Sequence, residues 1–207
     1  MSGENSGIVT DLQKTKKGRY SVFVDGEFLY SLDGETLLKN DIRVGKTVDF
    51  DDLARIKEES DLYKAREKAY DLLSYRPLSG GELKSKLRKS FEADVCEQIV
   101  QQMQQVGLLQ DDDFACRLAQ ELYEYKHMSI NFIRQELYKR GIGGEICDQV
   151  FSLCDFDDQV SIAALLDKKY AQKLQSDPKK VIAALQRKGF AYRDIISQIQ
   201  LGEDDEY

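Results

Sequence analysis

Few side chains in this sequence have the types and spacing that catalysis or metal binding requires. Three consecutive carboxylates, Asp111, Asp112 and Asp113, come nearest to a metal site. Neighbouring residues at a helix start point in different directions, however, and carboxylates there interact favourably with the positive end of the helix dipole. The single histidine, His127, precedes a break at Met128, which favours a loop or cap position over a catalytic base. We therefore predict that the protein is not an enzyme and holds no metal or cofactor.

The cysteines and the Gly80-Gly81 pair also lack the context of a reactive site. No two cysteines have the Cys-x-x-Cys spacing, so we expect small buried side chains in a reducing compartment rather than a zinc site. Gly80-Gly81 is not followed by the lysine of a phosphate-binding loop. No segment reads as a signal peptide or as an apolar membrane span, and we expect a cytoplasmic protein with no membrane partner.

Charge is distributed unevenly along the chain. The formal net charge is −7, which argues against a surface that is basic overall. Within residues 161–200, however, eight Lys or Arg residues stand against three Asp residues, and the acidic residues 203–206 then reverse the sign. Clusters of cations are candidate phosphate contacts. The predicted nucleic-acid-binding residues are Lys84, Lys86, Arg88, Lys89, Lys179 and Lys180.

The first fifty residues are predicted to form a small sheet. Runs that suit strands occupy residues 8–12, 19–24 and 28–32. Asp25-Gly26 predicts a two-residue hairpin loop, in which Phe23 lies opposite Phe28 and Val22 lies opposite Leu29. Both faces would then carry apolar side chains, so the helical segment that follows should cover part of the sheet.

From residue 51 the apolar residues follow a helical period. The first stripe consists of Leu62, Ala65, Ala69, Leu72 and Leu73. Ser79 and Glu82 have the spacing of a capping box, and Asp177-Pro178 has the pattern of an N-cap followed by proline in the first turn. Three glycines stand where helices commonly end in a left-handed residue: Gly107, Gly141 and Gly189. These signals predict short helices that follow one another to the end of the chain.

A similar segment recurs three times, each time ending one short helix and starting another at an apolar anchor. The three segments are Leu87-Arg-Lys-Ser-Phe91, Leu137-Tyr-Lys-Arg-Gly-Ile142 and Leu185-Gln-Arg-Lys-Gly-Phe190. Their anchors lie 51 and 48 positions apart, and acidic helix starts at residues 60–61, 111–113 and 155–158 precede the three units. A period of this length is typical of stacked helical repeats.

We therefore predict a mainly α fold, with tandem three-helix repeats in an elongated curved arrangement after a small N-terminal segment that contains a β-hairpin. The predicted segments are a strand-rich start at 1–50, repeats at 51–109, 110–154 and 155–200, and an acidic tail at 201–207. Because stacked repeats present a long surface, they suit a large partner better than a small-molecule substrate.

The ordered motifs resemble those of the RecX family over nearly the whole chain. Similar to the first repeat of that family are Ala65-Arg-Glu-Lys-Ala69, Leu73-Ser-Tyr-Arg-Pro77, Ser79 and Glu82-Leu83. Similar to the second and third repeats are Asp111-Asp-Asp-Phe114-Ala115, Glu136-Leu137, Gly141-Ile142 and Arg187-Lys-Gly-Phe190 with Tyr192. Val24-Asp-Gly-Glu-Phe28 resembles the strand-rich start of many members. The sequence departs from the pattern at Ser90 and Ser129, which stand where glycine is expected.

The resemblance implies a regulator of homologous recombination, DNA repair and the SOS response. Such a protein binds in the helical groove of the RecA recombinase filament on DNA, opposes filament growth, and lowers RecA ATPase and strand-exchange activity. Two alternatives stay open: a helical-repeat nucleic-acid-binding module acting without RecA, on single- or double-stranded DNA, and a general helical adaptor. The predicted partner contacts are the cations Arg66, Arg76, Lys139, Arg140, Arg187 and Lys188.

Overall fold

The computed structural model describes residues 5–16 and 18–204, and it describes side chains as far as residue 200. The chain divides into two compact units, Met1–Arg76 with Leu83–Val106 and Pro77–Glu82 with Gly107–Tyr207. Residues 205–207 of the predicted acidic tail lie outside the described residues. Within the described range, no helix combines the length and the apolar content that crossing a membrane requires.

The first unit begins with a four-stranded antiparallel sheet. Its strands are β1 (Ser6–Lys14), β2 (Tyr20–Val24), β3 (Glu27–Leu32) and β4 (Thr47–Asp49). They lie in the order β3-β2-β1-β4. The predicted hairpin turn is confirmed, since Asp25 and Gly26 have positive φ angles of 52° and 88°. The three predicted strands are present, whereas the sequence does not predict β4, because three residues are too few for a period to show.

The register of the hairpin is only partly as predicted. Phe23 lies opposite Phe28, and their ring centroids are 5.9 Å apart in an edge-on contact. The predicted pairing of Val22 with Leu29 is wrong, because Val22 lies opposite Tyr30. The register shifts between Val22 and Phe23, which is the effect of one extra residue on β3, and a sequence pattern carries no signal for such a bulge.

Helix α2 (Phe50–Tyr75) contributes to the core of the sheet, as predicted for the first helical segment. The core consists of Val9, Val22, Val24, Leu32, Leu37, Ile42, Val48 and Leu53. Leu53 comes from the first turn of α2 and is almost fully buried. Asp49 caps this turn by accepting hydrogen bonds from the amides of Asp51 and Asp52 at 2.8 and 3.2 Å.

The predicted acidic helix start at Ser60-Asp61 is wrong, because α2 passes through both residues without a break. Ser60 is buried, and its hydroxyl donates to Asp33 Oδ2 at 2.6 Å. Burial opposes the ionisation of Asp33, but hydrogen bonds from Ser60 and Thr36 outweigh it and lower the pKa of this carboxyl to about 2. Asp33 is the N-cap of helix α1 (Gly34–Lys39), so the polar pair fastens α2 to α1.

Short helices make up the rest of the chain. They are α3 (Gly80–Leu87), α4 (Ala93–Gln105), α5 (Asp111–Gln120), α6 (Ile130–Lys139), α7 (Gly144–Leu153), α8 (Asp158–Leu165), α9 (Ala171–Ser176), α10 (Pro178–Arg187) and α11 (Tyr192–Asp204). A π-helical turn follows α5 at Glu121–Tyr125, and another follows α8 at Leu166–Tyr170.

The described part of the second unit has two hydrophobic cores. The core shared by α5, α6 and α7 consists of Ala115, Ala119, Leu122, Ile133, Leu137, Ile142, Cys147 and Val150. The core shared by α8, α10 and α11 consists of Ile162, Leu165, Val181, Leu185, Phe190 and Ile195. The predicted anchors Ile142 and Phe190 are therefore buried core residues. A mainly helical fold with three-helix repeats after a small sheet is confirmed, and the exact segment boundaries stay predictions.

The predicted helix-end signals are confirmed. Ser79 Oγ accepts from the amide of Glu82 at 3.0 Å, and the Ser79 amide donates to the Glu82 carboxylate at 3.3 Å. Asp177 caps α10 by accepting from the amide of Lys180 at 3.3 Å. The three predicted closing glycines have φ angles between 73° and 92°.

The cysteines behave as small hydrophobic side chains. Cys96 and Cys147 are buried, Cys116 and Cys154 are half-buried, and none is in a disulfide. Burial raises the pKa of the Cys96, Cys147 and Cys154 thiols, which keeps them protonated and unreactive at neutral pH.

Candidate partner interface

The start of α3 packs against the end of α6 in a contact that we call the first joint (residues 79–81 with 111 and 140–141). The hydroxyl of Ser79 donates to the carbonyl of Arg140. The amide of Gly80 donates to Asp111 Oδ1 at 2.8 Å. Asp111 lies in the first turn of α5, so its carboxylate also satisfies an amide that the start of another helix would leave unpaired.

Two backbones meet at glycine in the first joint. A Cβ on Gly81 would lie 2.7 Å from Gly141 Cα and 3.0 Å from the Arg140 carbonyl oxygen. Gly141 also has a φ of 77°, where other residues are strained. Gly141 is therefore required both to end α6 and to admit α3.

The start of α6 and the end of α10 form a second joint (residues 129–132 with 158 and 188–189). The amide of Ile130 donates to Asp158 Oδ1 at 2.9 Å. The amide of Ser129 donates to the carbonyl of Lys188 at 3.1 Å. One arrangement of serine, aspartate and a basic-glycine helix end thus occurs twice along the chain.

Ser129 stands where the family pattern predicts glycine, and the second joint explains why serine fits. Its hydroxyl accepts from the Phe132 amide at 3.1 Å and so caps α6. Gly189 lies directly against this cap, since a Cβ on Gly189 would lie 2.9 Å from Phe132 Cβ and closer still to Ser129 Oγ.

The basic pairs at the joints are Lys139-Arg140 and Arg187-Lys188. The second cation of each pair makes contacts within the chain. Arg140 Nη1 lies 3.3 Å from Glu82 Oε1, and Arg140 Nε lies 3.6 Å from Glu136 Oε1. Lys188 donates to the carbonyl of Lys126. Burial, with a smaller effect of nearby Lys169, lowers the pKa of Lys188. The side chains of Arg140 and Lys188 therefore make contacts within the chain at the joints.

The first cation of each pair faces solvent. Lys139 and Arg187 each precede their closing glycine by two positions, and both are exposed. The Lys139 side chain is 66% exposed even though Lys139 Nζ lies 3.6 Å from a Glu136 carboxylate oxygen. Arg187 has no ion-pair partner among the residues whose side chains are described. Of the four cations in these pairs, Lys139 and Arg187 are the two available to another molecule.

The other predicted partner contacts differ in exposure. Arg76 is exposed at the end of α2. Arg66 is half-buried, and its Nε donates to Gln102 Oε1 on α4 at 3.2 Å. Arg66 therefore also helps to hold α2 and α4 together.

The predicted nucleic-acid-binding cations divide in the same way. Lys84 Nζ donates to Glu97 Oε2 at 2.5 Å, and this bond lowers the pKa of Glu97. Lys180 Nζ lies 2.7 Å from an Asp177 oxygen. Across residues 5–16 and 18–200, the cations of this set that are exposed and have no ion-pair partner are Lys86, Arg88, Lys89 and Lys179.

Sequence reasoning does not single out Gly81 or Asp158 as joint residues. The available signal is the repeated order of a helix-capping serine, an aspartate at the next helix start and a basic-glycine pair. That order recurs along the chain but does not reveal which helix ends meet, since the meeting is a tertiary contact.

Asp158 provides a test of the second joint. Burial, more than the nearby Asp194 and Asp157, raises the pKa of Asp158, while the Ile130 amide opposes the rise. Asp158→Asn keeps an oxygen acceptor and removes the poorly hydrated charge, so the free energy of unfolding at pH 7 should be unchanged or higher. Asp158→Ala leaves the Ile130 amide unpaired and should cost about 1 to 2 kcal/mol.

The pH dependence follows from the direction of that shift. Because the folded state binds the Asp158 proton more tightly than the unfolded chain, stability from this group falls as the pH rises through its folded pKa. Urea unfolding should therefore show a larger advantage of Asp158→Asn over wild type at neutral pH than at a pH near 3.8, the ordinary pKa of the group. An Asp158→Asn variant as unstable as Asp158→Ala would contradict the assigned hydrogen bond.

Comparisons with known proteins agree with one another. The family profile described as the regulatory protein RecX N-terminal domain matches residues 8–49, and the profile of the RecX first three-helix domain matches residues 65–103. A regulatory protein RecX of Bacillus licheniformis is 31% identical, over 89% of this chain and 72% of that protein. One from Clostridioides difficile is 27% identical over 97% of this chain and 99% of that protein.

Two solved structures share the fold. A crystal structure of regulatory protein RecX aligns with a TM-score of 0.58 at 21% identity, covering 91% of this chain and 96% of that one. RecX from Lactobacillus salivarius aligns with a TM-score of 0.57 at 23% identity, covering 68% of this chain and 95% of that one. At these identities the structures support the architecture alone.

Proposed function

The chain belongs to the RecX family of regulatory proteins, and from that premise we propose that it binds the RecA recombinase filament on DNA and restrains it. The observation that carries the proposal is the match to regulatory RecX proteins along 89% to 97% of the chain. The protein binds in the helical groove of the filament, and this binding lowers RecA ATPase activity, strand exchange and filament growth. The role places the protein in the cytoplasm, as a modulator of recombination, DNA repair and the SOS response with no chemistry of its own.

The repeated joints support such a mechanism. Each joint fixes the end of one helix, α6 or α10, through close backbone contacts. The contact between Gly81 and Gly141 shows how little space is left there. Each therefore holds one exposed cation, Lys139 or Arg187, at an equivalent position of its repeat. A filament is built from equivalent sites, so cations presented once per repeat suit it better than a cluster presented once.

The decisive experiment is a titration of the protein into cognate RecA that is hydrolysing ATP on single-stranded DNA. We expect the ATPase rate to fall at substoichiometric to equimolar protein, with shorter filaments in electron micrographs. An unchanged rate with undisturbed filaments would refute the proposal.

A second candidate function is direct nucleic-acid binding without RecA. It is favoured by Lys86, Arg88, Lys89 and Lys179, which are exposed and have no ion-pair partner among the described side chains. This function predicts an affinity for nucleic acid that falls steeply as the salt concentration rises, because phosphate contacts release counterions. A chain that binds no DNA even at low salt would eliminate it.

A further inference from the structure

The turn between α3 and α4 differs from its counterparts in the other repeats. Residues 140–141 and 188–189 receive the start of another helix, as the two joints show. The equivalent residues of the first repeat, Lys89 and Ser90, are exposed. They line a groove of about 850 Å³ in the first unit. A position that is filled in the second and third repeats is thus open in the first.

The lining of this groove is rich in cations. It contains Arg19 from the β1–β2 turn, Lys64 and Lys68 one turn apart on α2, and Lys89. Arg19 is committed to the fold, since Arg19 Nη2 lies 2.8 Å from Asp61 Oδ1. Among the described side chains, the three lysines have no ion-pair partner. Their position differs in this from the joints, where Arg140 pairs with carboxylates and Lys188 donates to a backbone carbonyl at the position of Lys89.

Two carboxylates also line the groove, and they offset these positive charges only in part. Asp33 is 4% exposed, and its oxygens accept from Ser60 and Thr36. Its role is to cap α1. Glu35 is the exposed carboxylate of the lining. Lys68 and Lys89 are exposed, Lys64 is half-buried, and the charge of Lys64 contributes to the low pKa of Asp33. With three lysines against two carboxylates the lining keeps a positive balance, although the chain as a whole has a net charge of −7.

The shape and the remaining lining indicate the class of ligand. Gly18 and Gly34 contribute backbone without side chains, and Phe91 adds a half-buried ring beside Lys89. Cations spaced along a groove next to an aromatic ring suit a single-stranded nucleic acid, whose phosphates meet the lysines and whose bases have apolar faces. In the first joint, one acidic side chain, Glu82, pairs with one cation, Arg140. One such side chain in the groove would leave most of the lysines unpaired.

We infer that this groove binds single-stranded nucleic acid through its phosphates, with Lys64, Lys68 and Lys89 as the contacts. The site lies in the N-terminal unit and gives the second candidate function a location, so the inference rests on that candidate. It needs no RecA and can fail independently of RecA binding. It uses the sheet and α2 together with one residue, Lys89, of the set predicted from sequence.

The test measures binding of a fluorescein-labelled oligothymidylate to the full chain by anisotropy over a range of salt. Lys68→Glu/Lys89→Glu should weaken binding at least about tenfold at low salt, and should reduce the salt slope by about 0.7 for each phosphate that the variant no longer neutralises. Lys39→Glu/Arg43→Glu is the matched control, because it makes the same charge change in the same unit on exposed residues outside the groove. The control should weaken binding less than about threefold.

Both double variants change exposed side chains, and circular dichroism should show the wild-type helix content for each. Equally weak binding by the two variants would overturn the proposal in favour of a general charge effect. Polyglutamate competing as well as unlabelled oligothymidylate at equal charge would overturn it in favour of an acidic protein segment. Wild-type protein that binds no oligothymidylate at low salt would also overturn it.

Discussion

Gly81→Ala should lower the free energy of unfolding by about 2 to 4 kcal/mol, which would be a large fraction of the stability of a domain of this size. The new Cβ would lie 2.7 Å from Gly141 Cα and 3.0 Å from two carbonyl oxygens, those of Arg140 and Gly141. All three atoms belong to backbone, so no side chain can rotate away. The joint must open, and the hydrogen bonds from Ser79 and Gly80 across it must lengthen.

The control for this prediction is Gly144→Ala, at the first residue of α7. A Cβ there would meet only the Tyr138 hydroxyl at 3.6 Å, an ordinary contact. Alanine restricts the unfolded chain more than glycine does, so this variant should be as stable as wild type or more stable by about 0.5 kcal/mol. Urea unfolding followed by circular dichroism measures both variants. Similar midpoints for the two would show that the close approach at Gly81 does not matter.

Local signals in the sequence predict the ends of elements well. The capping box at Ser79 and Glu82, and the hairpin turn at Asp25-Gly26, need only a few neighbouring residues to form, and both are present. The prediction at Ser60 is wrong for a related reason. Serine followed by aspartate satisfies the local rule for a helix start, but here the hydroxyl is used by Asp33, a residue 27 positions away.

The joints could not be derived from the sequence, because they depend on which helix ends meet. Asp111 and Asp158 satisfy the local rule for carboxylates at a helix start, and that rule says nothing of the amides of Gly80 and Ile130 that they accept. The same limit applies to the basic pairs. Adjacent cations look equivalent in a sequence, whereas the rotation of about 100° between consecutive helix residues places one against the chain and the other in solvent.

That division leads to the second large effect, on the proposed regulation of RecA. Lys139→Glu/Arg187→Glu should raise the protein concentration for half-inhibition of RecA ATPase about tenfold, because weakening binding by about 0.7 kcal/mol at each of two positions gives about 1.4 kcal/mol. Both side chains are exposed, so the unfolding midpoint should stay within the range of surface substitutions. The ATPase titration and urea unfolding are run on the same preparations.

Two comparison variants separate binding from folding in that experiment. Arg140→Met removes the ion pairs with Glu82 and Glu136, and it should lower the unfolding midpoint while the cations at 139 and 187 remain in place. Lys39→Glu/Arg43→Glu matches the charge change of Lys139→Glu/Arg187→Glu and should leave inhibition within about threefold of wild type. If the Lys139→Glu/Arg187→Glu variant inhibits RecA as well as this control variant does, the exposed cations of the joints are not partner contacts. Inhibition would then have to depend on another surface of the repeats.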